Sequence, residues 1–226
     1  MSATENDESV EFRQYRFAAP PGAATLLLIR HGESAPASEH RPAETVDGQS
    51  DPDLDPVGEE QARRVAGRLG GASIDAIYVT SLRRTAQTAA PLAAALGLSP
   101  VVEPDLREVY LGEWEGFTFR KNVAERHPTS VEMFTQQRWD VIPGAEPMAQ
   151  FRERVRSGIT RIAKAHPDQT VAVVVHGGVI GMAMALACGA TNFAFVGADN
   201  ASISEVVVDA DRWLVRRFND TAHLTD

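Results

Sequence analysis

The sequence predicts an α/β fold, a single three-layer α/β/α domain with a mostly parallel central sheet. Apolar, strand-like runs alternate along the chain with longer helix-like segments, and this alternation favours a parallel sheet with helices on both faces. With 226 residues, of which 43% are apolar, the chain is long enough for one large domain with a sizeable core. Glycines follow several of the helix-like segments, as expected where helices end.

The individual elements follow from local signals. An apolar run suited to a buried strand covers Leu26–Ile29, and the polar loop Ser34–Asp53, which contains His40 and Arg41, comes after it. Asp55 then offers an N-cap before Pro56, and the helix that begins there is expected to end near Leu69. The remaining predicted elements are a strand over Ala76–Val79, a helix over Arg83–Leu96, an extended piece at Val101-Val102, helices over Thr118–Arg126, stopped by Pro128, and Met148–Ala165, a strand over Val171–Val175, a helix over Val179–Ala187, and strands over Ile203–Val208 and Trp213–Phe218.

The first part of the chain differs in composition from the rest. Residues 1–23 are polar and acidic and end in Pro20-Pro21-Gly22, although Phe12, Tyr15 and Phe17 offer apolar surface that can dock. This composition predicts a flexible or loosely docked N-terminal extension over 1–23, followed by the folded domain over 24–226.

Composition also limits the classes of partner. The net charge of −9, without a basic stripe, argues against nucleic acid and against anionic membrane surfaces, since both would repel the protein. A small anionic substrate is compatible with this charge if cations cluster locally. The single cysteine, Cys188, leaves no intrachain disulfide or cysteine-rich metal site, and its apolar surroundings predict a buried position. No run has the length of a membrane span and the acidic start lacks a signal-peptide layout, so we expect a cytoplasmic protein.

Two histidines each come directly after an apolar strand. Arg30-His31-Gly32 follows the first strand, and His176-Gly177-Gly178 follows Val171–Val175. Ligands bind at the carboxyl ends of strands in open α/β sheets, so the two histidines would lie close together if these strands are neighbours. The alternative is a pair of loop histidines whose hydrogen bonds are satisfied locally.

Two further segments carry charged residues. Arg83 and Arg84 open a helix after a strand, where an arginine and unpaired backbone N–H groups can meet an anion. Taken as an isolated pair, they fit a solvated helix face better. Glu108 lies in a segment with two more glutamates and two glycines, whose simpler interpretation is an acidic surface turn.

These segments together carry a resemblance to a known family. In order they are Arg30-His31-Gly32-Glu33, Leu82-x-Arg84-x-x-Gln87-Thr88, Leu106-x-Glu108 before Gly112-x-Trp114-x-Gly116, His176-Gly177-Gly178, and Asn219-Asp220-x-x-His223-Leu224. Their order and rough spacing resemble the phosphoglycerate-mutase-like branch of the histidine phosphatase superfamily. The similarity covers about Thr25 to Leu224 and implies a phosphoglycerate-mutase-like histidine phosphatase domain over 24–226.

The resemblance implies roles for individual residues. His31 would be the nucleophile, Arg30, Arg84 and His176 would contact phosphate, and Glu108 would transfer protons; Gly177 joins Arg30, Arg84 and His176 as a substrate-binding residue. A neutral imidazole can attack phosphorus through one nitrogen while an acceptor, such as a backbone carbonyl, holds the other. Arginines suit phosphate geometry and stay charged, and a protonated His176 would add a third cation. The scheme requires neither a metal nor a cofactor.

The expected function is hydrolysis of a small phosphorylated metabolite through a phosphohistidine intermediate, by a monomer or homodimer. The chain lacks the long insertion after Gly112-x-Trp114-x-Gly116 and the tandem arginines typical of phosphoglycerate mutases, which favours a phosphatase. Two alternatives are a phosphoglycerate mutase and a non-catalytic scaffold that binds phosphorylated ligands. Because the loop Ser34–Asp53 follows the nucleophile and departs most from the family pattern, we expect it to select the substrate.

Overall fold

The computed structural model describes residues 11–40, 44–191, 193–210 and 212–225. The sequence-based expectations for residues 1–10 of the extension and for Arg41 lie outside these ranges. Within them, Phe12 and Tyr15 are exposed, and the guanidinium of Arg216 lies 3.7 Å from the ring centroid of Phe17.

A six-stranded sheet forms the centre of the fold, in the order β5-β4-β6-β1-β7-β8. Its strands are β1 (Ala24–Arg30), β4 (Ala76–Val79), β5 (Val101–Val102), β6 (Thr170–Val175), β7 (Ile203–Asp209) and β8 (Arg212–Asp220). Strands β5, β4, β6 and β1 run parallel, while β7 and β8 are antiparallel to their neighbours. The predicted mostly parallel sheet is therefore confirmed.

Helices cover both faces of this sheet. They are α1 (Pro56–Leu69), α2 (Arg83–Leu96), α3 (Phe117–Ala124), α4 (Pro128–Gln136), α5 (Met148–Ala165) and α6 (Gly177–Cys188). Alternate residues of β1 and β6 point to opposite faces, so Leu26 and Leu28 pack in the core beneath α5 and α6, whereas Leu27 and Ile29 pack beneath α1 and α2. Strands that are apolar on both faces explain the uninterrupted apolar runs of the sequence.

The structure adds elements that the sequence analysis did not predict. A small hairpin, β2 (Thr45–Val46) and β3 (Gln49–Ser50), lies within the loop Ser34–Asp53. Pro128 occupies the first turn of α4 and so begins a helix, besides following the end of α3. Short 3-10 turns cover Pro104–Leu106, Gly112–Trp114 and Trp139–Val141.

The predicted burial of Cys188 is wrong. Its side chain is exposed, because it ends α6 immediately before Gly189, whose left-handed conformation caps the helix and turns the chain away from the core. None of the helices in the described part of the chain is both long enough and apolar enough to cross a membrane.

Candidate active site

The site lies where three parallel strands end at one edge of the sheet. Arg30, the last residue of β1, is in register with Val175, the last residue of β6, and the backbone N–H of His31 donates to the Val175 carbonyl at 2.9 Å. The next residue on each strand is a histidine, and the ring centroids of His31 and His176 are 5.2 Å apart. The two strands are neighbours, so the histidines meet as the sequence analysis expected.

Both ring nitrogens of His31 have defined partners. Its Nδ1 lies 2.7 Å from the carbonyl oxygen of Gly32, and the Nε–H of Arg84 donates to its Nε2 at 3.2 Å. A carbonyl accepts only, so Nδ1 carries the proton, and Nε2 presents its lone pair toward the pocket. Burial, followed by the charges of Arg84 and Arg30, holds the pKa of His31 well below its ordinary value of 6.5. The imidazole is therefore neutral at neutral pH and able to act as a nucleophile.

Two arginines flank this imidazole. Arg84, in the first turn of α2, is 8% exposed, and its Nη1 donates to the Ser50 carbonyl at 2.9 Å. Arg30 is held from the other side, where its Nη1 donates to the Ala198 carbonyl at 2.5 Å. The Nε of Arg30 is buried and has no hydrogen-bond partner among the described residues. Each guanidinium therefore keeps donors that a phosphate oxygen can occupy.

His176 is completely buried, and only one of its two ring nitrogens has a hydrogen-bond partner among the described residues. Its Nε2 lies 3.0 Å from the hydroxyl of Thr80, while its Nδ1 has no partner among the described residues. Burial is the main cause that lowers the pKa of His176 well below its ordinary value of 6.5, and the positive charges of Arg84 and Arg30 add to it. The expectation of a protonated His176 is therefore wrong for the unliganded site, because a cation is disfavoured in a dry position beside two guanidinium groups.

Glu108 reaches the same pocket from the segment that precedes the 3-10 turn Gly112–Trp114. Its carboxylate accepts backbone N–H groups from Val109 at 2.9 Å and Gly178 at 3.1 Å. A Cβ at position 178 would collide with this carboxylate, so any larger residue there would displace the Glu108 side chain from its present position. Arg154 of α5 positions the segment, since its Nη2 donates to the Glu108 carbonyl at 2.8 Å.

The other glutamates considered near Glu108 are placed differently. Glu33 and Glu113 are exposed. Glu115 lines the pocket, but its two carboxylate oxygens already accept backbone N–H groups from Leu111 and Ser50, each at 2.9 Å. Glu115 also accepts from the Ser50 hydroxyl, so it has three donors where Glu108 has two. The charge of Glu108 is also the carboxylate charge that acts most strongly on both Arg30 and Arg84, so Glu108 is the carboxylate best placed to exchange a proton with a ligand beside His31.

The hairpin formed by β2 and β3 is one wall of the pocket. The side-chain amide of Gln49 donates to the Glu108 carbonyl at 2.7 Å, and Ser50 accepts from Arg84. Arg83 holds the hairpin from one side through Asp51, with Nε donating to Oδ2 at 3.0 Å, and Arg107 holds it from the other. Arg83 thus faces the loop while Arg84 faces His31, as their neighbouring positions on a helix require.

The pocket has a volume of about 310 Å³. Four of the five candidate catalytic residues line it: His31, Arg30, Arg84 and Glu108. The fifth, His176, lies behind them against the His31 ring, and Gly177 lies beside the Arg30 side chain. Residues of the loop Ser34–Asp53, which the sequence analysis expected to select the substrate, also line the pocket, among them Ser34, Gln49 and Ser50. Sequence reasoning missed Phe119 and Arg120. Among the described residues, no group of three or more His, Cys, Asp or Glu side chains is arranged to hold a metal ion.

The buried histidines predict a loss of stability in acid. The pKa values of His31 and His176 are lowered in the folded protein, whereas in the unfolded chain both titrate near the ordinary value of about 6.5. Below about pH 6.5 the unfolded state therefore binds protons that the folded state does not. The free energy of unfolding accordingly decreases as the pH is lowered. Each histidine contributes a slope of up to about 1.4 kcal/mol per pH unit. Urea titrations between about pH 7.5 and 5.5 measure this slope.

Substitutions separate this effect from general acid destabilisation. His31→Asn should flatten the slope, because the variant no longer carries one of the two buried titrating groups. His40→Asn is the matched control, since His40 is exposed in the loop that follows the nucleophile. Identical slopes for His31→Asn and the unmodified protein would contradict the assignment of a neutral, buried His31.

Comparison with known proteins identifies the family. A family model of the histidine phosphatase superfamily (branch 1) matches residues 26–221. Phosphoserine phosphatase 1 of Hydrogenobacter thermophilus is 32% identical over 202 residues, which cover 88% of this chain and 93% of that protein. The metal-independent phosphoserine phosphatase of Arabidopsis thaliana is 32% identical over 205 residues, which cover 88% of this chain and 83% of that protein.

Solved structures share the same architecture. A phosphoglycerate mutase from Bacillus anthracis superposes with a TM-score of 0.77 at 21% identity, over 90% of this chain and 96% of that one, and supports the fold alone. A mycobacterial glucosyl-3-phosphoglycerate phosphatase, solved with VO3, superposes with a TM-score of 0.73 at 27% identity, over 87% of this chain and 99% of that one. Since the family match extends over most of the domain and the curated relatives are matched over nearly their full length, the chain belongs to the histidine phosphatase superfamily, branch 1.

Proposed function

We propose that this protein hydrolyses phosphomonoesters of small metabolites through a phosphohistidine formed at His31. One observation carries the proposal: the lone pair of a neutral, oriented imidazole faces a pocket that also holds two guanidinium groups and a carboxylate. Phosphoryl transfer needs an in-line nucleophile, donors around the equatorial oxygens and a proton for the leaving oxygen, and this pocket supplies each of them.

The reaction has two steps. In the first, Nε2 of His31 forms a bond to phosphorus, the bond from phosphorus to the leaving oxygen breaks, and Glu108 gives its proton to that oxygen. In the second, water attacks the phosphohistidine, its proton passes to Glu108, and the nitrogen–phosphorus bond breaks to release inorganic phosphate. His31 and Glu108 thereby return to their starting forms.

The charges of the unliganded site favour binding of a phosphate dianion. Arg30 and Arg84 carry positive charge in a buried setting, and burial lowers the pKa of each below its ordinary value. A phosphate replaces the Arg84–His31 hydrogen bond and occupies the unpartnered Nε of Arg30. The electrostatic strain of two neighbouring buried cations is relieved when the dianion arrives.

Neutral His176 can serve as a phosphate donor without a charge. The Thr80 hydroxyl oxygen accepts from the backbone N–H of Leu82, and its proton can be donated either to the Nε2 of His176 or to the Thr85 hydroxyl. With Nε2 accepting, the ring proton resides on Nδ1, the atom that has no partner among the described residues. A phosphoryl oxygen supplies the missing acceptor.

The relatives support the same class of reaction. One of them is named as a metal-independent phosphoserine phosphatase, and a phosphatase of similar structure was solved with VO3. A panel of phosphomonoesters assayed with EDTA present tests the proposal, with phosphate release expected for at least one small substrate. Incubation with 3-phosphoglycerate distinguishes the mutase alternative, because a mutase returns 2-phosphoglycerate whereas a hydrolase releases phosphate. Absence of phosphate release across the panel would contradict the proposal.

Substituting neighbouring arginines tests the orientation of the first turn of α2. Arg84→Ala should lower kcat/KM by about 100-fold or more, because Arg84 touches the nucleophile and the phosphate position. Arg83→Ala is the matched control and should cost less than about tenfold, because Arg83 acts only through ion pairs with the hairpin loop, and partly exposed ion pairs contribute little. A large loss of kcat/KM in Arg83→Ala together with full activity in Arg84→Ala would contradict these positions.

A further inference from the structure

Arg120 is a cation at the rim of the pocket that the mechanism does not use. It lies on α3, four residues after Gly116, and its Nη2 donates to the hydroxyl oxygen of Ser34 at 2.8 Å. Both residues line the pocket, so the guanidinium is held over the cavity and not over the outer surface. The side chain is exposed, which leaves its other N–H donors accessible to a ligand.

The charge of Arg120 is not balanced by any carboxylate in the part of the chain that the structure describes. Among the described residues, no carboxylate lies within ion-pair distance of it, although the two arginines that flank the hairpin, Arg83 and Arg107, are both ion-paired. Arg120 is also near enough to the phosphate position to lower the pKa of Arg30, His31 and Arg84 through its charge. An unpaired guanidinium close to three like-charged or titratable groups is stabilised when an anion binds to it.

Away from the phosphate position, the other lining residues are apolar or already hydrogen-bonded within the protein, as Gln49 is to the Glu108 carbonyl and Ser50 to Glu115. Val109, Leu111 and Phe119 line the pocket, and the carboxylate of Glu115 is occupied by its backbone donors. A ligand whose phosphate lies between Arg30 and Arg84 therefore extends its leaving group past apolar side chains toward Arg120. The volume of about 310 Å³ is at the small end for ligand sites, so the leaving group is short.

We propose that Arg120, oriented by Ser34, binds a carboxylate on the leaving group, so that the preferred substrates are short phosphorylated carboxylic acids. This inference rests on the proposed function, because it assumes that the phosphate occupies the pocket beside His31. A carboxylate matches the single charge and the planar fork of one guanidinium. The Ser34 hydroxyl accepts from Arg120 and retains its own proton to donate to the same carboxylate.

Two substrates that differ only at the relevant group test this role. 3-Phosphoglycerate carries a carboxylate where glycerol 3-phosphate carries a hydroxymethyl group. Arg120→Gln should lower kcat/KM for 3-phosphoglycerate by about 10- to 100-fold, mainly through KM, and change that for glycerol 3-phosphate by less than about threefold. Arg120→Lys, which keeps the charge, should retain part of the preference. Lys121→Gln is the matched control, because Lys121 is the next residue on α3 and is exposed.

A binding measurement makes the inference independent of turnover. Calorimetric titration of the two ligands into the full-length His31→Ala variant, with and without Arg120→Gln, should show weaker binding of 3-phosphoglycerate alone, by about the same 10- to 100-fold. Equal losses for both ligands would make Arg120 a phosphate ligand, and no loss would leave it without a role; either result overturns the inference. Failure of the proposed function would give a different result: the unmodified enzyme would release no phosphate from any ester, including p-nitrophenyl phosphate.

Discussion

Replacing His31 with alanine is expected to abolish turnover of every phosphomonoester. In the proposed mechanism the covalent bond to phosphorus forms at Nε2, and water held in the same space cannot supply an equivalent nucleophile. A loss of several orders of magnitude in kcat is expected, as for other nucleophile deletions. Steady-state assays with an alkyl and an aryl phosphate measure it.

The fold should survive this substitution. The neutral His31 side chain accepts one hydrogen bond from Arg84 and makes one with the Gly32 carbonyl, so alanine removes two hydrogen bonds but no charge, and Arg84 keeps its bond to the Ser50 carbonyl. Urea unfolding near neutral pH checks that the variant is folded. Substantial turnover by a folded His31→Ala variant would rule out the covalent mechanism.

Replacing Glu108 with glutamine is expected to give a loss that depends on the leaving group. An alkyl phosphate expels a strongly basic alkoxide, which needs a proton in the transition state, whereas p-nitrophenyl phosphate expels a weakly basic phenolate that leaves without one. Phosphorylation of His31 should therefore slow severely with alkyl esters and only slightly with the aryl ester. The second step still needs a base for water, so it should slow for both substrates.

The position of Glu108 allows a sharp control. Glu113→Gln removes an exposed carboxylate of the same segment and should leave both rates unchanged. A rate loss in Glu108→Gln that is equal for alkyl and aryl esters would mean that Glu108 acts on structure, through its bonds to Val109 and Gly178, and not as the acid.

The sheet and the centre of the site could be predicted because their signals are local. The runs over Leu26–Ile29 and Val171–Val175 are apolar on both faces, as strands inside a three-layer fold must be. A histidine after each run is then brought to the same sheet edge by parallel pairing, which the register of Arg30 with Val175 bears out.

The pocket wall could not be predicted because long-range contacts form it. The hairpin strands Thr45–Val46 and Gln49–Ser50 have two residues each, too few for a periodic pattern, and depend on ion pairs with Arg83 and Arg107. Helix α3, which carries Arg120, has no buried residue, so its sequence gives little indication of which face meets the pocket.

The protonation state of His176 also depends on tertiary structure. Its pKa is lowered by burial and by the charges of Arg84 and Arg30, which come from two other segments of the chain. A histidine after a strand indicates a site, but its charge follows from how many cations the fold brings beside it.

The most direct measurement is a rapid-quench experiment on Glu108→Gln with p-nitrophenyl phosphate. Slow hydrolysis of the intermediate should produce a burst of nitrophenol, up to about one equivalent per active site, together with a phosphoenzyme that is stable to alkali and labile to acid. Mass spectrometry of the quenched protein should place the phosphoryl group on the peptide that contains His31. A phosphoryl group on another residue, or turnover with neither a burst nor a phosphoenzyme, would contradict nucleophilic catalysis by His31.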